Sequence, residues 1–291
     1  MNGFWYTLLV RIASLCGSWF FAAIARVIAT GYFLFSRRRV AESRRFYAVL
    51  YPERSRLHHL RCTFNQYQNF TTIHFDRFLR GRMKETTFTA EGMEKLEAVI
   101  GLQGGILLMS HLGNWEMAAT MLKQIRSDLR LLLYMGVKEK EGVERLQKED
   151  LRRAGVTIIG VDQQDNSPFT AVEGIKFLRE GGLVSMTGDI VWRQDQRKVR
   201  VDFLGHHAHL PEAPYIFSLV SGAPLFAFFA FRTGKNSYHV TLKGPIPIPP
   251  HSRNDRAEAI AGAAQQYANL LEQSLRWHPY EWYHFDRFIW P

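Results

Sequence analysis

The stretch of sequence that decides the fold runs from Gly104 to Ala119 and reads GGILLMSHLGNWEMAA. Its first half is a short apolar run after two glycines, which predicts a buried strand over residues 106–109. Gly113 and Asn114 then supply turn residues, and apolar residues resume with helical spacing over Trp115–Ile125. The stretch is therefore predicted to form a strand, a turn and a helix in direct succession.

This turn is what can bring His111 and Glu116 together. On a continuous helix, residues five positions apart point about 140° away from each other. With a turn between them, a His at a strand tip and a Glu in the first helical turn can face one cavity. A carboxylate near one imidazole nitrogen fixes the tautomer, and the other nitrogen can take a proton from an alcohol. The pattern predicts His111 as a general base oriented by Glu116, for acyl transfer to a hydroxyl without an enzyme nucleophile.

The bare spacing His-x4-acid is a weak signal. A second match occurs at His207 and Glu212, but it lacks the strand, turn and helix, and Pro211 interrupts it. The alternative interpretation of the first match is a structural strand-end His followed by a Glu that the helix dipole favours. The functional interpretation therefore depends on the surrounding sequence.

The segment Ser110–Glu116 resembles the catalytic motif of the bacterial lipid A biosynthesis acyltransferases (lauroyl/myristoyl acyltransferases), which belong to the lysophospholipid acyltransferase superfamily. The resemblance covers most of residues 86–290. Five further segments carry it: residues 91–96, Asp189, residues 201–205, residues 221–224 and residues 282–288.

The resemblance implies an O-acyltransferase that takes a fatty acyl group from acyl carrier protein, or from acyl-CoA, to a glycolipid precursor of the lipid A type. It implies an acceptor at the inner face of the bacterial inner membrane, with the catalytic domain on the cytoplasmic side. No metal and no other cofactor is expected. The substrate-binding residues expected are Asn114, Trp115, Asp189, Arg200 and Gly205.

The chain departs from the family pattern after residue 205. Where the family has a Thr/Gly-rich stretch, residues 206–214 read HHAHLPEAP. The departure leaves other acceptors open for the same chemistry, such as a polar lipid, a mannosylated lipid or a polyene-lipid precursor. Three histidines so close together also suggest a metal site, but metal sites usually need a fixed spacing and a further carboxylate or Cys, so a metal is not favoured.

Composition indicates one large α/β domain. The chain has 291 residues, of which 46% are apolar and 13% aromatic, which argues against disorder. Its two cysteines, Cys16 and Cys62, give neither a disulfide framework nor a metal-binding spacing. A reducing cytosolic setting is the default for the globular part.

The net charge of +10 calls for an anionic partner or serves solubility. Eight of the arginines fall within residues 37–61, directly after an apolar N-terminus. This distribution favours an anionic membrane surface, and an acidic carrier protein would also fit a basic surface. No nucleic-acid-binding motif is visible.

The N-terminal segment, residues 4–35, is almost wholly apolar or small. Its longest uncharged run, residues 12–25, has 14 residues, whereas a spanning helix needs about 20. A membrane-associated helix in the interface is favoured, with Arg11 and Arg26 snorkelling to the surface. The alternatives are a signal peptide, a buried globular helix and a tilted span that would leave residues 37–39 on the cytoplasmic side.

Three regions are predicted: a membrane-associated apolar helix over residues 1–36, a basic helical segment over 37–85, and an acyltransferase α/β domain over 86–291. In the second region Pro52 is the expected start of a helix. In the third, short apolar runs alternate with helices, which indicates a largely parallel central sheet flanked by helices. The predicted helices include residues 93–102 and 138–153.

Two later segments carry distinct patterns. Arg197, Lys198 and Arg200 accompany a strand of period-two alternation over residues 199–203, and could bind phosphate or carboxylate groups. The aromatic C-terminal segment is expected to form core or edge packing. The pentapeptide HFDRF occurs at both 74–78 and 284–288.

Two further functions stay open. Hydrolysis with Ser110 as nucleophile ranks low, because adjacent strand residues point to opposite faces and no Gly-x-Ser-x-Gly elbow occurs. A non-catalytic protein that binds membranes or nucleic acid is compatible with the charge, and the absence of a cavity at His111 would favour it.

Overall fold

The computed structural model describes residues 18–79, 86–137, 151–153, 155–162, 168–191, 195–234, 236–250, 252 and 254–290. The first part of the predicted N-terminal helix, including Arg11, lies outside these ranges, as does most of the helix predicted over residues 138–153.

Three consecutive helices open the described chain: α1 (Ser18–Phe35), α2 (Arg37–Leu50) and α3 (Arg56–Leu79). The prediction that Pro52 starts the third helix is wrong, since Pro52 lies in the turn and the helix begins at Arg56. The reason is the cap: Ser55 Oγ accepts a hydrogen bond from the His58 backbone N at 3.3 Å. Helices α1 and α3 contact each other, and the rings of Phe33 and Phe64 meet edge-on with centroids 5.2 Å apart.

The surface of α1 carries large apolar side chains. Trp19, Val27 and Phe35 are among its exposed residues. Within the part of the chain that the structure describes, no helix combines the length and the apolar character needed to cross a membrane.

The centre of the molecule is a seven-stranded sheet of order β1-β9-β8-β2-β5-β3-β4. Every neighbouring pair is parallel except β8 and β9, which form an antiparallel hairpin. The predicted largely parallel α/β sheet is confirmed. Its strands are β1 (Thr87–Glu91), β2 (Gly105–Met109), β3 (Leu131–Val137), β4 (Thr157–Asp162), β5 (Leu183–Thr187), β8 (Leu225–Gly234) and β9 (Ser237–Ile246).

Helices cover both faces of this sheet. The central strand β2 alternates between them: Ile106 and Leu108 join one buried cluster, and Leu107 and Met109 join the other. This double burial explains why β2 is a continuous apolar run. The described helices of this region are α4 (Glu94–Glu97), α5 (Trp115–Ile125), α6 (Pro168–Arg179), α7 (Ala213–Ser221) and α8 (Arg256–Trp277).

The helix predicted over residues 93–102 is too long. Only the single turn α4 forms, and turns follow it up to Gln103. The chain then folds back through Gly104 at φ +69°, where a Cβ would stand 2.4 Å from the Gly182 carbonyl oxygen. The Gly101 backbone N–H also donates to the Gly181 carbonyl oxygen at 3.0 Å, so packing against the loop before β5 replaces the last turns of the predicted helix.

A second, smaller sheet is antiparallel and has the strand order β10-β7-β6. Its strands are β6 (Lys198–Phe203), β7 (His206–Pro211) and β10 (Ile289–Trp290). The period-two alternation predicted for residues 199–203 is confirmed, because β6 alternates exposed and buried residues. Strand β10 brings the C-terminal segment back to this sheet, so that Trp282 packs against Phe203 with ring centroids 5.6 Å apart.

Candidate active site

The turn after β2 holds His111 at the tip of the central strand. Gly113 has φ +80°, and a Cβ there would stand 2.2 Å from the Ala230 carbonyl oxygen, so only glycine fits. The same oxygen accepts a hydrogen bond from the Asn114 backbone N at 2.8 Å. The Ser110 hydroxyl oxygen accepts one from the Leu112 backbone N at 3.1 Å. These contacts fix the backbone conformation of the turn. In this conformation the His111 side chain is 27% exposed.

The carboxylate placed against His111 is that of Asp189, 78 residues later. Asp189 Oδ2 accepts a hydrogen bond from the His111 backbone N at 2.7 Å, and Asp189 Oδ1 lies 3.1 Å from His111 Nδ1. The two residues meet because β2 and β5 are parallel neighbours whose ends, Met109 and Thr187, are in register. The Asp189 side chain is fully buried.

A third donor completes the shell of this carboxylate. The indole Nε1–H of Trp282 donates to Asp189 Oδ2 at 3.0 Å. Burial by itself would raise the pKa of Asp189, but the His111 charge and the hydrogen bonds outweigh it, so the pKa lies below its usual value. Asp189 is therefore an ionised acceptor, and His111 Nδ1 must carry the hydrogen between them. In the neutral imidazole, Nε2 is then the nitrogen that can accept a proton.

The three residues that follow Gly113 form the start of helix α5. Asn114 is the N-cap of α5, and its Oδ1 accepts a hydrogen bond from the Met117 backbone N at 3.4 Å. Trp115 is half-buried against the core, and Glu116 is a buried carboxylate in the first turn of the helix. The substrate-binding roles of Asn114 and Trp115, and the orienting role of Glu116, stay predictions.

Arg200 and Gly205 belong to the small sheet. Arg200 is exposed on β6, where its guanidinium contacts the Nε2 of His207. Gly205 lies in the turn between β6 and β7 with φ +76°. Their predicted substrate-binding roles are untested. Among the described residues, no group of three or more His, Cys, Asp or Glu is arranged to hold a metal ion.

Residues 4–288 match the family model described as bacterial lipid A biosynthesis acyltransferase. The chain belongs to this family. A search of the curated proteins finds no match. Membership identifies an enzyme that transfers acyl groups, with an acyl donor and a lipid acceptor.

The C-terminal segment of this acyltransferase contributes more to the site than the predicted core packing. Trp282 is buried as expected, but it also bonds Asp189, and Tyr283 donates its backbone N–H to the His111 carbonyl at 2.8 Å. The available sequence signal was the resemblance of residues 282–288 to the family. The expectation that this aromatic segment packs in the core gave no reason to assign Trp282 to the site.

His284 is a second imidazole near the pair. Its Nδ1 lies 3.1 Å from the Asp286 carbonyl oxygen, which can only accept, so Nδ1 carries the hydrogen. Burial lowers the pKa of His284, although the charge of Asp189 opposes that shift. His284 and Trp282 line a cleft of about 180 Å³, which α2 borders through Phe46.

Proposed function

We propose that this acyltransferase moves a fatty acyl group from an acyl thioester, carried by acyl carrier protein or CoA, to a hydroxyl of a lipid A-type glycolipid precursor, with His111 as general base. The observation that carries this proposal is the buried Asp189 against Nδ1 of His111. It leaves Nε2 as the basic nitrogen at the tip of the central strand.

The reaction then proceeds in two steps, addition and collapse. His111 Nε2 takes the proton of the acceptor hydroxyl while the oxygen attacks the thioester carbonyl carbon and forms a tetrahedral intermediate. The carbon–sulfur bond breaks as that intermediate collapses, and the imidazolium returns its proton to the departing thiolate. Asp189 stabilises the imidazolium in between, because an ionised carboxylate bound to Nδ1–H favours the charged ring.

A second observation supports an apolar substrate. A groove of about 180 Å³ opens at the end of β5 and is lined mostly by apolar side chains, among them Met186, Ile190 and Phe217. Ile190 follows Asp189 directly, so the loop that carries the proposed catalytic carboxylate also lines this groove. We assign it to the acyl chain, whose burial there would be favourable by about 0.8 kcal/mol for each CH₂ group.

The same proposal places the protein at the cytoplasmic face of the inner membrane. Two neighbouring features of the N-terminal helices support this location. Helix α1 exposes apolar residues, and helix α2 begins directly afterwards with arginines. An apolar helix face beside cationic side chains suits an anionic lipid surface. Binding to vesicles with and without anionic lipid, followed by sedimentation, tests this part. Equal sedimentation with both kinds of vesicle would remove the electrostatic component.

The test of the reaction is transfer of radiolabelled acyl groups by the detergent-solubilised protein. Acyl carrier protein and CoA donors are offered separately, each with lipid A precursors or with total membrane lipids, and His111→Ala runs in parallel. We expect labelled lipid A precursor that is absent with the variant. Label only in another lipid would keep the chemistry and assign a different acceptor, whereas transfer that is undiminished in His111→Ala would refute the general base.

A further inference from the structure

A buried chain of hydrogen bonds joins helix α3 to the N-cap of helix α5. Asp76 lies on α3, Tyr238 on β9 and Asn114 at the N-cap of α5, and all three side chains are buried. The Tyr238 hydroxyl contacts Asp76 Oδ2, and Asn114 Nδ2 lies 3.3 Å from the same hydroxyl. The chain thus runs from the N-terminal helices to a residue three positions after His111.

The chemistry of the three groups fixes the direction of each bond. A carboxylate accepts only, so the Tyr238 hydroxyl donates its proton to Asp76 and accepts the amide hydrogen of Asn114. Burial and then the Asp76 charge raise the pKa of Tyr238, which keeps the hydroxyl protonated. Asn114 must then turn its oxygen towards α5, where Oδ1 caps the Met117 backbone N.

The charge of Asp76 is balanced within the same network. The Arg232 guanidinium of β8 lies 3.3 Å from Asp76 Oδ1, and the Asp76 side chain is only 6% exposed. A buried carboxylate with a cation and a hydroxyl donor holds one geometry, because leaving either partner would expose an unpaired charge to a medium of low polarity. The network is therefore a rigid support.

Helix α3 is also connected, through Tyr283, to His111 at the other end of the turn that runs from His111 to Asn114. The Tyr283 hydroxyl donates to the Asn69 carbonyl of α3 at 3.3 Å, and the Tyr283 backbone N–H donates to the His111 carbonyl at 2.8 Å. The segment from His111 to Asn114 is therefore attached to one helix at both ends. The first copy of HFDRF contributes Asp76 to this attachment.

We propose that Asp76 and Tyr238 are positioning residues for acyl transfer: through Asn114 they hold the turn that presents His111 to the acceptor hydroxyl. The inference rests on the proposed role of His111. Neither residue touches the reacting atoms. A displacement of about 1 Å in a reacting group can lower a rate about 100-fold, so a loosened turn acts on kcat. Of this network only Asn114 has a predicted role in substrate binding, and Tyr238→Phe leaves the Asn114 side chain in place, so KM changes little.

The test compares two full-length variants that each lose one buried tyrosine hydroxyl. Tyr238→Phe removes the link between Asp76 and Asn114. Tyr215→Phe is the matched control, because the Tyr215 hydroxyl is buried without a hydrogen-bond partner among the described residues. We expect kcat to fall about 10- to 100-fold in Tyr238→Phe with KM within about threefold of wild type, and both constants to be unchanged in Tyr215→Phe.

A second comparison separates positioning from general stability. If Tyr238 acts through Asn114, the double variant Asn114→Ala/Tyr238→Phe has the same kcat as Asn114→Ala, whereas independent effects multiply. Asp76→Asn retains an oxygen acceptor for the hydroxyl, so its kcat should lie between those of wild type and Tyr238→Phe. If Tyr238→Phe does not fold, kcat of Asp76→Asn tests the positioning role in its place.

The proposal is overturned if kcat of Tyr238→Phe equals that of Tyr215→Phe, if the two losses multiply in the double variant, or if a folded Asp76→Asn has wild-type kcat. These outcomes are distinct from failure of the proposed function. In that case His111→Ala itself retains activity. If His111→Ala is inactive and Tyr238→Phe is fully active, only the positioning role is lost.

Discussion

Replacement of Asp189 by Asn is the sharpest perturbation of the candidate site. Asn has the shape of Asp and keeps one oxygen. Asp189 Oδ2 accepts two N–H groups, from the His111 backbone and from Trp282, so the Asn oxygen should take that position. The Asn amide NH₂ then faces His111 Nδ1, which must become an acceptor. The hydrogen of the imidazole moves to Nε2, and the general base is lost.

The expected magnitude follows from this change of tautomer. The same substitution in a Ser-His-Asp triad lowers kcat by about 10⁴-fold, which corresponds to about 5 kcal/mol in activation free energy. We expect kcat to fall about 10³- to 10⁴-fold in Asp189→Asn. Two of the three hydrogen bonds remain as they are and the third reverses its direction, so the free energy of unfolding should fall by no more than about 3 kcal/mol.

The assay is acyl transfer at saturating donor and acceptor, with thermal unfolding of the same samples. Asp128→Asn is the control, because it makes the same chemical change in an exposed carboxylate that pairs with Arg126 at 2.8 Å. Its kcat should equal that of wild type. A folded Asp189→Asn with kcat within about tenfold of wild type would refute the reasoning that Asp189 sets the tautomer of His111.

Three further results are expected. Gly113→Ala should abolish acyl transfer and destabilise the fold by more than about 2 kcal/mol, because it adds a backbone clash to the strain of a positive φ. Ser110→Ala should keep turnover within about threefold and lower the free energy of unfolding by about 0.5–1.5 kcal/mol, because the hydroxyl only braces the turn. Burial lowers the pKa of His284, so the unfolded chain binds more protons below about pH 6.5 and stability should fall on acidification, with a smaller slope in His284→Gln.

Each of these has its own control or contrary outcome. Gly222→Ala introduces a side chain at φ +78° with nothing within 4 Å, so urea unfolding should register the strain of about 1–2 kcal/mol without the clash. Wild-type activity in Gly113→Ala would contradict the fixed path of the turn. Loss of transfer in a stable Ser110→Ala would revive the nucleophile hypothesis. Identical thermal shifts of wild type and His284→Gln between pH 7 and pH 5 would exclude His284 as the titrating group.

Local sequence patterns predicted those elements whose boundaries depend on nearby residues. The strand over 106–109, the helix over Trp115–Ile125 and the alternating strand over 199–203 all occur. The two errors in helix boundaries have different causes: one is packing against a distant segment and the other is a local cap. Gly104 packs on the loop before β5, so helix α4 stops after a single turn. Helix α3 begins at Arg56 because Ser55 caps it. Pro52, which favours the first turn of a helix, lies in the preceding turn instead.

The sequence by itself determined the strand, turn and helix around His111, the family and the parallel α/β architecture, because these depend on the order of residue types along the chain. Only the tertiary structure decided that Asp189 and Trp282 close around His111. Their contacts join residues 78 and 93 positions apart in the chain, and they exist because β5 lies next to β2 in the sheet and the C-terminal segment returns across it. The order of strands is a property of the packed core, and no local pattern carries it.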